Sequence, residues 1–440
     1  MRRTSFLSIF IPICIASFST AHGFEQTREL IEVPREGAHK LEETQITRFG
    51  TCVPGLIWQL HHMARRRWIV PWADSETKPA IYHCIARVVD RRFAFDADDK
   101  EQFRIYMRMM ENFSGCRVLA YCIMCNHFHI LLEVPPRPKE ALTDEELLKR
   151  LGALYSKAFV ATVAKELKDA REVVAQGMAA DGEAYVQRIH ERFTYRMHGL
   201  SEFMKTLLQR FTRWHNIRTK RRGNLWEESF KSVVVEDGLA SKTMAAYIDL
   251  NPVRAGMVTD PAEYRWSSYG EAMGATGRVK GDSLTRSGAK AKAGLVRAIM
   301  ADKGWEADAR HWAGRVSKEY RMILLEEGEE KTREVVNKQG EREVQVVRKG
   351  MKTQQVVSEM DRLAGGKDVA LRKMLRWKIR YFTDSGVVGS RAFVESMFEQ
   401  SRDRFGPKRK SGARKMRGKA AEAADLLWTE RDLRVGVIGG

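Results

Sequence analysis

The stretch Cys125-Asn126-His127-Phe128-His129-Ile130-Leu131-Leu132-Glu133-Val134 constrains this chain more than any other, because it reads as a buried strand carrying two histidines. Side chains on a strand alternate faces, so His127 and His129 share one face while Phe128 and Ile130 enter the opposite, apolar layer. Two imidazoles on one face can aim at a single metal ion. The same triplet also occurs as a pair of satisfied histidines at a strand end, and spacing alone leaves both readings open.

A second constellation lies more than a hundred residues downstream, in Ala246-Tyr247-Ile248-Asp249-Leu250-Asn251-Pro252-Val253-Arg254-Ala255. Asp237 is placed to cap a helix from about Gly238 to Leu250, which Pro252 would end. On that helix Tyr247 and Asn251 are four residues apart and project from one side of the last turn. Taken alone, Tyr247 would read as a helix-end tyrosine packed on the core. Of the 11 tyrosines it is the one with a motif and a helical neighbour to go with it.

Together with Trp266-Ser267-Ser268-Tyr269, Tyr82-His83-x3-Arg87 and Gly223-Asn224-Leu225-Trp226-Glu227, these motifs occur in an order that resembles the REP-associated tyrosine transposases. These belong to the HUH single-tyrosine group, which mobilises DNA as single strands. The resemblance runs from about Lys78 to Tyr269 and is interrupted by an insertion. It implies a ferredoxin-like core, Tyr247 as the nucleophile of a 5′-phosphotyrosine intermediate, and His127, His129 and Asn251 as ligands of Mg²⁺ or Mn²⁺. The mixed nitrogen and oxygen donors suit Mn²⁺ somewhat better than Mg²⁺.

The order strand, helix, hairpin, helix, strand reads independently as an α+β domain, an antiparallel sheet with helices on one face. Its expected elements are a strand over 80–89, a helix over 96–110, strands over 116–124 and 127–134, and a helix over 202–217 with Phe203, Leu207, Phe211 and Trp214 as its apolar stripe. Residues 136–198 read as a helical insertion, making 63–272 the transposase-like domain. Residues 273–292 are rich in Gly, Ala and Lys and read as a linker. Residues 293–440 read as a basic, mostly helical extension in which Val387 to Val394 resembles the turn and second helix of a helix-turn-helix.

Composition enters through the partner. At 440 residues and 43% hydrophobic content the chain can build several cores, and its formal charge of +19 calls for a polyanion. Between Arg210 and Arg222 the cations Arg210, Arg213, Arg218, Lys220, Arg221 and Arg222 have no acidic sequence neighbour. With Trp214, His215, Trp226, Lys231 and Arg254 they form the expected nucleic-acid groove, since phosphates need cations and unpaired bases need flat faces. Lys408-Arg409-Lys410 and Arg414-Lys415-x-Arg417-x-Lys419 suggest further, non-specific phosphate contact. Six cysteines are too few for a disulfide framework at this length, and Cys122-x-x-Cys125 has no second pair to complete a zinc site.

The amino terminus points elsewhere. Residues 1–21 have the basic, apolar and small-residue parts of a secretory signal, too short for a spanning helix. A DNA transposase has no substrate outside the cell, so residues 1–62 read as a start-site artefact or extension, with Met63 as the true start and a cytoplasmic, nucleoid-associated protein as the product. The functional expectation is therefore a metal-dependent transposase acting on single-stranded DNA with hairpin or palindromic repeats, with no membrane partner. Whether it pairs as a homodimer, and whether Tyr247 then serves its own subunit or the partner's, stays open. The competing reading is a domesticated, non-mobile DNA-binding protein. An RNA-binding sheet is disfavoured because such sheets display exposed aromatics where this one carries paired histidines.

Overall fold

The computed structural model describes residues 68–274, 282–324, 331–336, 342–348, 371–372, 374–423 and 425–431. The signal-like segment and the Met63 start lie outside these residues, as do residues 275–281 of the expected linker.

Five segments build the first part of the fold: β1 (Ala80–Arg87), α1 (Ala97–Ser114), β2 (Arg117–Ile123), β3 (His127–Val134) and, after four helices, β4 (Lys231–Val235). Those helices are α2 (Asp144–Gly152), α3 (Lys157–Ala175) and α4 (Ala179–Thr194), followed by α5 (Leu200–Arg218). Helix α1 begins where the Asp96 carboxylate accepts from the Asp99 amide while the Asp99 side chain accepts from the Asp96 amide. This reciprocal cap satisfies two otherwise orphaned donors. Gly115, at φ 75°, ends the helix in a left-handed turn that a side chain would strain.

The main sheet has seven strands in the order β2-β3-β1-β4-β7-β9-β8, where β7 is Val387–Gly389, β8 Arg414–Lys415 and β9 Trp428–Thr429. All neighbours are antiparallel except β4 and β7. Lys331–Val336 and Arg342–Arg348 pair as a separate two-stranded ribbon, β5 and β6. The α+β class and mainly antiparallel sheet follow the order of elements in the sequence.

One face of the sheet, through Tyr82, Cys84, Phe128, Ile130 and Leu132, packs on Phe103, Met107 and Met110 of α1 and Phe203, Leu207 and Phe211 of α5. The other face is covered as well. Ile81, Leu119, Leu131 and Val233 pack with Met244 and Ile248 of α6 (Leu239–Asp249) and with Leu295 and Val296 of α9 (Asp282–Ile299). Helices α7 (Asn251–Arg254), α8 (Ser268–Ala272) and α10 (Arg315–Leu324) complete the elements in this part of the chain.

Three sequence expectations are corrected here. The linker read over 273–292 gives way to α9 from Asp282 onward, whose last turns lie so close to β2 that a Cβ on Gly294 would stand 2.3 Å from the Val118 carbonyl oxygen. Gly294, just past the stretch read as a linker, permits this close approach of helix to sheet. Asp237 does not cap α6, which has Gly238 as its N-cap without a side-chain cap bond. Its carboxylate instead receives both Nη atoms of Arg297, a buried α9 residue whose Nε donates to Glu133 Oε1 of β3 at 2.9 Å. Finally, Val387–Gly389 is no helix-turn-helix turn but a strand that extends the sheet beside β4, pairing Val234 with Val387 and Val235 with Val388. Two β-branched residues with both faces buried favour that outcome. Its successor helix, α12 (Arg391–Gln400), starts on Ser390 and buries Val394 and Met397 in the core.

The approach of α9 to β2 is testable. Gly294→Ala should lower stability by ~1–3 kcal/mol, the usual cost of overpacking a tight contact. Urea unfolding of the full chain measures it, and an unchanged midpoint would mean that α9 does not pack as described.

Candidate active site

Alternation along β3 puts His127 and His129 on the sheet face covered by α6, opposite the face that buries Phe128. His83, on β1, faces the same way. Its Nε2 is 2.9 Å from His129 Nδ1, and its Nδ1 is 2.8 Å from the carbonyl oxygen of Phe382, in the one-turn helix α11 (Tyr381–Asp384). His127 Nδ1 lies 2.7 Å from Asn126 Oδ1, while Asn126 Nδ2 donates to the Arg91 carbonyl. The amide oxygen can only accept, so His127 carries its proton on Nδ1 and keeps the Nε2 lone pair. Burial pushes the pKa of His83 and of His127 down to about 4, and that of His129 well below the usual histidine value, with neighbouring cations adding to the effect at His127 and His129. All three are neutral at pH 7, the form that can ligate a metal.

Helix α6 brings Tyr247 to the same place. Its ring stands perpendicular to His129 with centroids 6.4 Å apart, although the two residues are far apart in sequence. Tyr247 is only 1% exposed. Phe382 packs edge-on against it at 5.0 Å, and Arg254 lies over its ring with the guanidinium carbon 4.0 Å from the centroid. Burial pushes the Tyr247 pKa up, with Arg254 and the Ile379 backbone pulling against that shift. Arg254 is tied to this pocket, donating to the carbonyls of Leu375 at 3.0 Å and Tyr247 at 2.5 Å. The stretch from Leu375 to Phe382 thus forms a cover over the tyrosine.

Asn251 opens α7, half-buried, and its Nδ2 donates weakly to the Ile248 carbonyl at 3.3 Å, which leaves Oδ1 available as a donor atom to a cation. Among the described residues no group of three or more His, Cys, Asp and Glu is arranged around a metal position. An ion held by His127 and His129 would therefore complete its shell from an amide such as Asn251, from substrate oxygens or from water.

The side chains expected to line a DNA groove differ in exposure and pairing. Arg213, Lys220 and Arg222 are exposed and carry no ion pair among the described residues; Arg221 is half-buried. Arg210 is half-buried with its guanidinium over Tyr155, and Lys231 pairs with Glu228. Arg218, without an acidic neighbour in sequence, meets Asp96 and Asp99 of α1 at 2.8 and 2.6 Å, and His215 is buried against Asp99. Trp226 is no stacking surface either. It is buried among Phe95, Phe103, Phe128 and Phe211, with its Nε1 donating to Thr212. Trp214 is half-buried on Phe211. Phe93 is 86% exposed and lies in sequence between Arg91, whose carbonyl accepts from Asn126, and Phe95, whose amide donates to the Cys125 carbonyl. Its only sequence signal was the run Asp90-Arg91-Arg92 before it. In the basic carboxyl-terminal cluster, Arg409 and Arg414 bond to nearby backbone and Ser411, and Lys415 pairs with Asp425, leaving fewer free cations than the composition suggested.

Residues 77–162, spanning β1 through the start of α3 and including both histidines but not Tyr247, match the family described as IS200-like transposases. Among solved structures the chain matches one titled "Structure of the REP associates tyrosine transposase bound to a REP hairpin", at 10% identity over 50% of this chain and 94% of that one, with a TM-score of 0.28. An overlap that loose carries no argument. No curated protein matches the chain.

The buried neutral histidines have a consequence for stability. Each is held below its unfolded value of about 6.5, so the folded state resists protonation that the unfolded chain accepts. Their contribution is complete above about pH 6.5 and is lost as pH falls toward about 4, where His83 and His127 titrate. For fully buried His83 the loss is on the order of 3 kcal/mol. Urea midpoints recorded at intervals from pH 7.5 to 4.5 should decline through that window, and a flat profile would show that these rings are already charged in the native protein.

Proposed function

We propose that this chain, whose residues 77–162 match the IS200-like transposases, cleaves and rejoins single-stranded DNA at hairpin or repeat sequences, with Tyr247 as the nucleophile. The observation that carries this reading is the perpendicular placement of Tyr247 beside His129, on the sheet face that also bears His127. Residues from two distant segments meet where one phosphate could contact both.

In the proposed reaction the Tyr247 oxygen attacks phosphorus, the bond to the leaving 3′-oxygen breaks, and that oxygen takes a proton. The adduct is a 5′-phosphotyrosine, and attack by a 3′-hydroxyl reverses the step and rejoins the strand. Mg²⁺ or Mn²⁺, when held by His127, His129 and Asn251, would neutralise charge on the scissile phosphate. Arg254, over the tyrosine ring, favours the phenolate that burial opposes. Arg213, Lys220 and Arg222 supply phosphate contacts and Trp214 a partly exposed ring. Tyr247 is buried beneath Phe382, so in this reading the Leu375–Phe382 segment must move aside for the phosphate to reach it. Action on DNA places the protein in the cytoplasm at the nucleoid, and no described helix is long and apolar enough to cross a membrane. The closed cover also favours a second reading, in which the site is retained by a domesticated DNA-binding protein and Tyr247→Phe leaves its role unchanged.

The test is covalent capture. Single-stranded DNA from the flanks of its own gene, with Mn²⁺, should yield a denaturant-resistant adduct on the peptide containing Tyr247, suppressed by EDTA and far weaker with duplex DNA. Tyr247→Phe should abolish it while leaving DNA affinity within roughly twofold, because only a hydroxyl is lost. An adduct that persists in that variant, or one found on Tyr264 or Tyr269, would refute the assignment. Those two hydroxyls already bond to the Ile123 carbonyl and to Arg321.

A further inference from the structure

We infer that His83 is a positioning residue for the metal centre: it sets the tautomer and ring plane of His129 so that the Nε2 lone pair of His129 is presented to a divalent cation. The inference rests on the reading of His127 and His129 as metal ligands, and deepens it by one residue on a different strand.

A chain of directional bonds runs from Phe382 through His83 to His129. The Phe382 carbonyl oxygen, 2.8 Å from His83 Nδ1, can only accept, so the His83 proton must reside on Nδ1. A neutral imidazole has one donor and one acceptor, which leaves His83 Nε2 as an acceptor. The atom facing it, 2.9 Å away, is His129 Nδ1, and this nitrogen must therefore donate. His129 is left with a bare Nε2. The ring geometry agrees: centroids 5.1 Å apart with only 20° between the planes suit an in-plane N–H···N bond.

Without His83, the buried Nδ1 of His129 would lose its acceptor. The alternative tautomer, with its proton on Nε2, would become accessible and would direct an N–H at the cation. His127 needs no such help from His83, because Asn126 sets its tautomer. The two ligands are thus oriented by separate partners, one from the adjoining turn and one from β1. Outer partners of this kind commonly govern metal affinity although they never touch the ion. The anchor of the relay, Phe382, belongs to the cover over Tyr247, so the ligand is set while the cover is closed.

Manganese uptake by the full-length protein, read from the electron paramagnetic resonance signal of free Mn²⁺, tests this without any need for DNA or turnover. His83→Leu removes the acceptor and should weaken Mn²⁺ binding about 10- to 100-fold. His83→Gln can accept from His129 through its amide oxygen and donate to Phe382 through its amide nitrogen, and should restore affinity to within roughly threefold of wild type. Rescue by Gln separates tautomer control from simple packing. The role of His83 is overturned if the Leu variant binds as tightly as wild type, or if the Gln variant is as weak as Leu. Failure of the wild type itself to take up Mn²⁺ would instead remove the metal-ligand reading on which this role depends.

Discussion

Burial of β3 on both faces is the constraint from which the rest follows. The strand lies between β2 and β1, and every residue after His127 is buried. A polar group there has lost its water and must find a partner inside the protein, at a cost of several kcal/mol otherwise. Glu133 finds Arg297 from α9, and His129 finds His83 from β1. Each pairing fixes an additional element: Arg297 also grips Asp237 at the start of α6, the helix that carries Tyr247. The position of the tyrosine is thus tied to satisfaction of a charge on the histidine-bearing strand.

The same burial shapes the site's electrostatics. Low dielectric keeps the imidazoles neutral and lone-pair bearing, which suits ligation, and it keeps Tyr247 protonated, which does not suit attack. Arg254 over the tyrosine ring works against that second effect. The contacts of Phe382 and Leu375 with Tyr247 and Arg254 add to this burial.

Outside the pocket, long-range ion pairing redraws the basic surface. Helix α1 brings Asp96 and Asp99 to the end of α5, where they pair with Arg218 and His215, leaving Arg213, Lys220 and Arg222 as the exposed cations of that stretch with no ion pair among the described residues. Charge that looks unpaired along the chain is partly spent on joining two helices.

What the sequence determined by itself was local. Strand alternation put His127 and His129 on one face and Phe128 on the other, and helical spacing placed Phe203, Leu207 and Phe211 in the core. The order of elements set the α+β class, and the motif around Tyr247 marked the residue to watch. Tertiary structure decided everything that depends on contacts between distant segments: α9 closing the second face, Val387–Gly389 joining the sheet where a helix-turn-helix turn was expected, Trp226 lying in the core, and His83 bonding to His129. Periodicity reports which side of an element is apolar. It carries no information about which other element will cover that side, because the pairing is chosen by packing, desolvation and hydrogen-bond satisfaction across the whole fold.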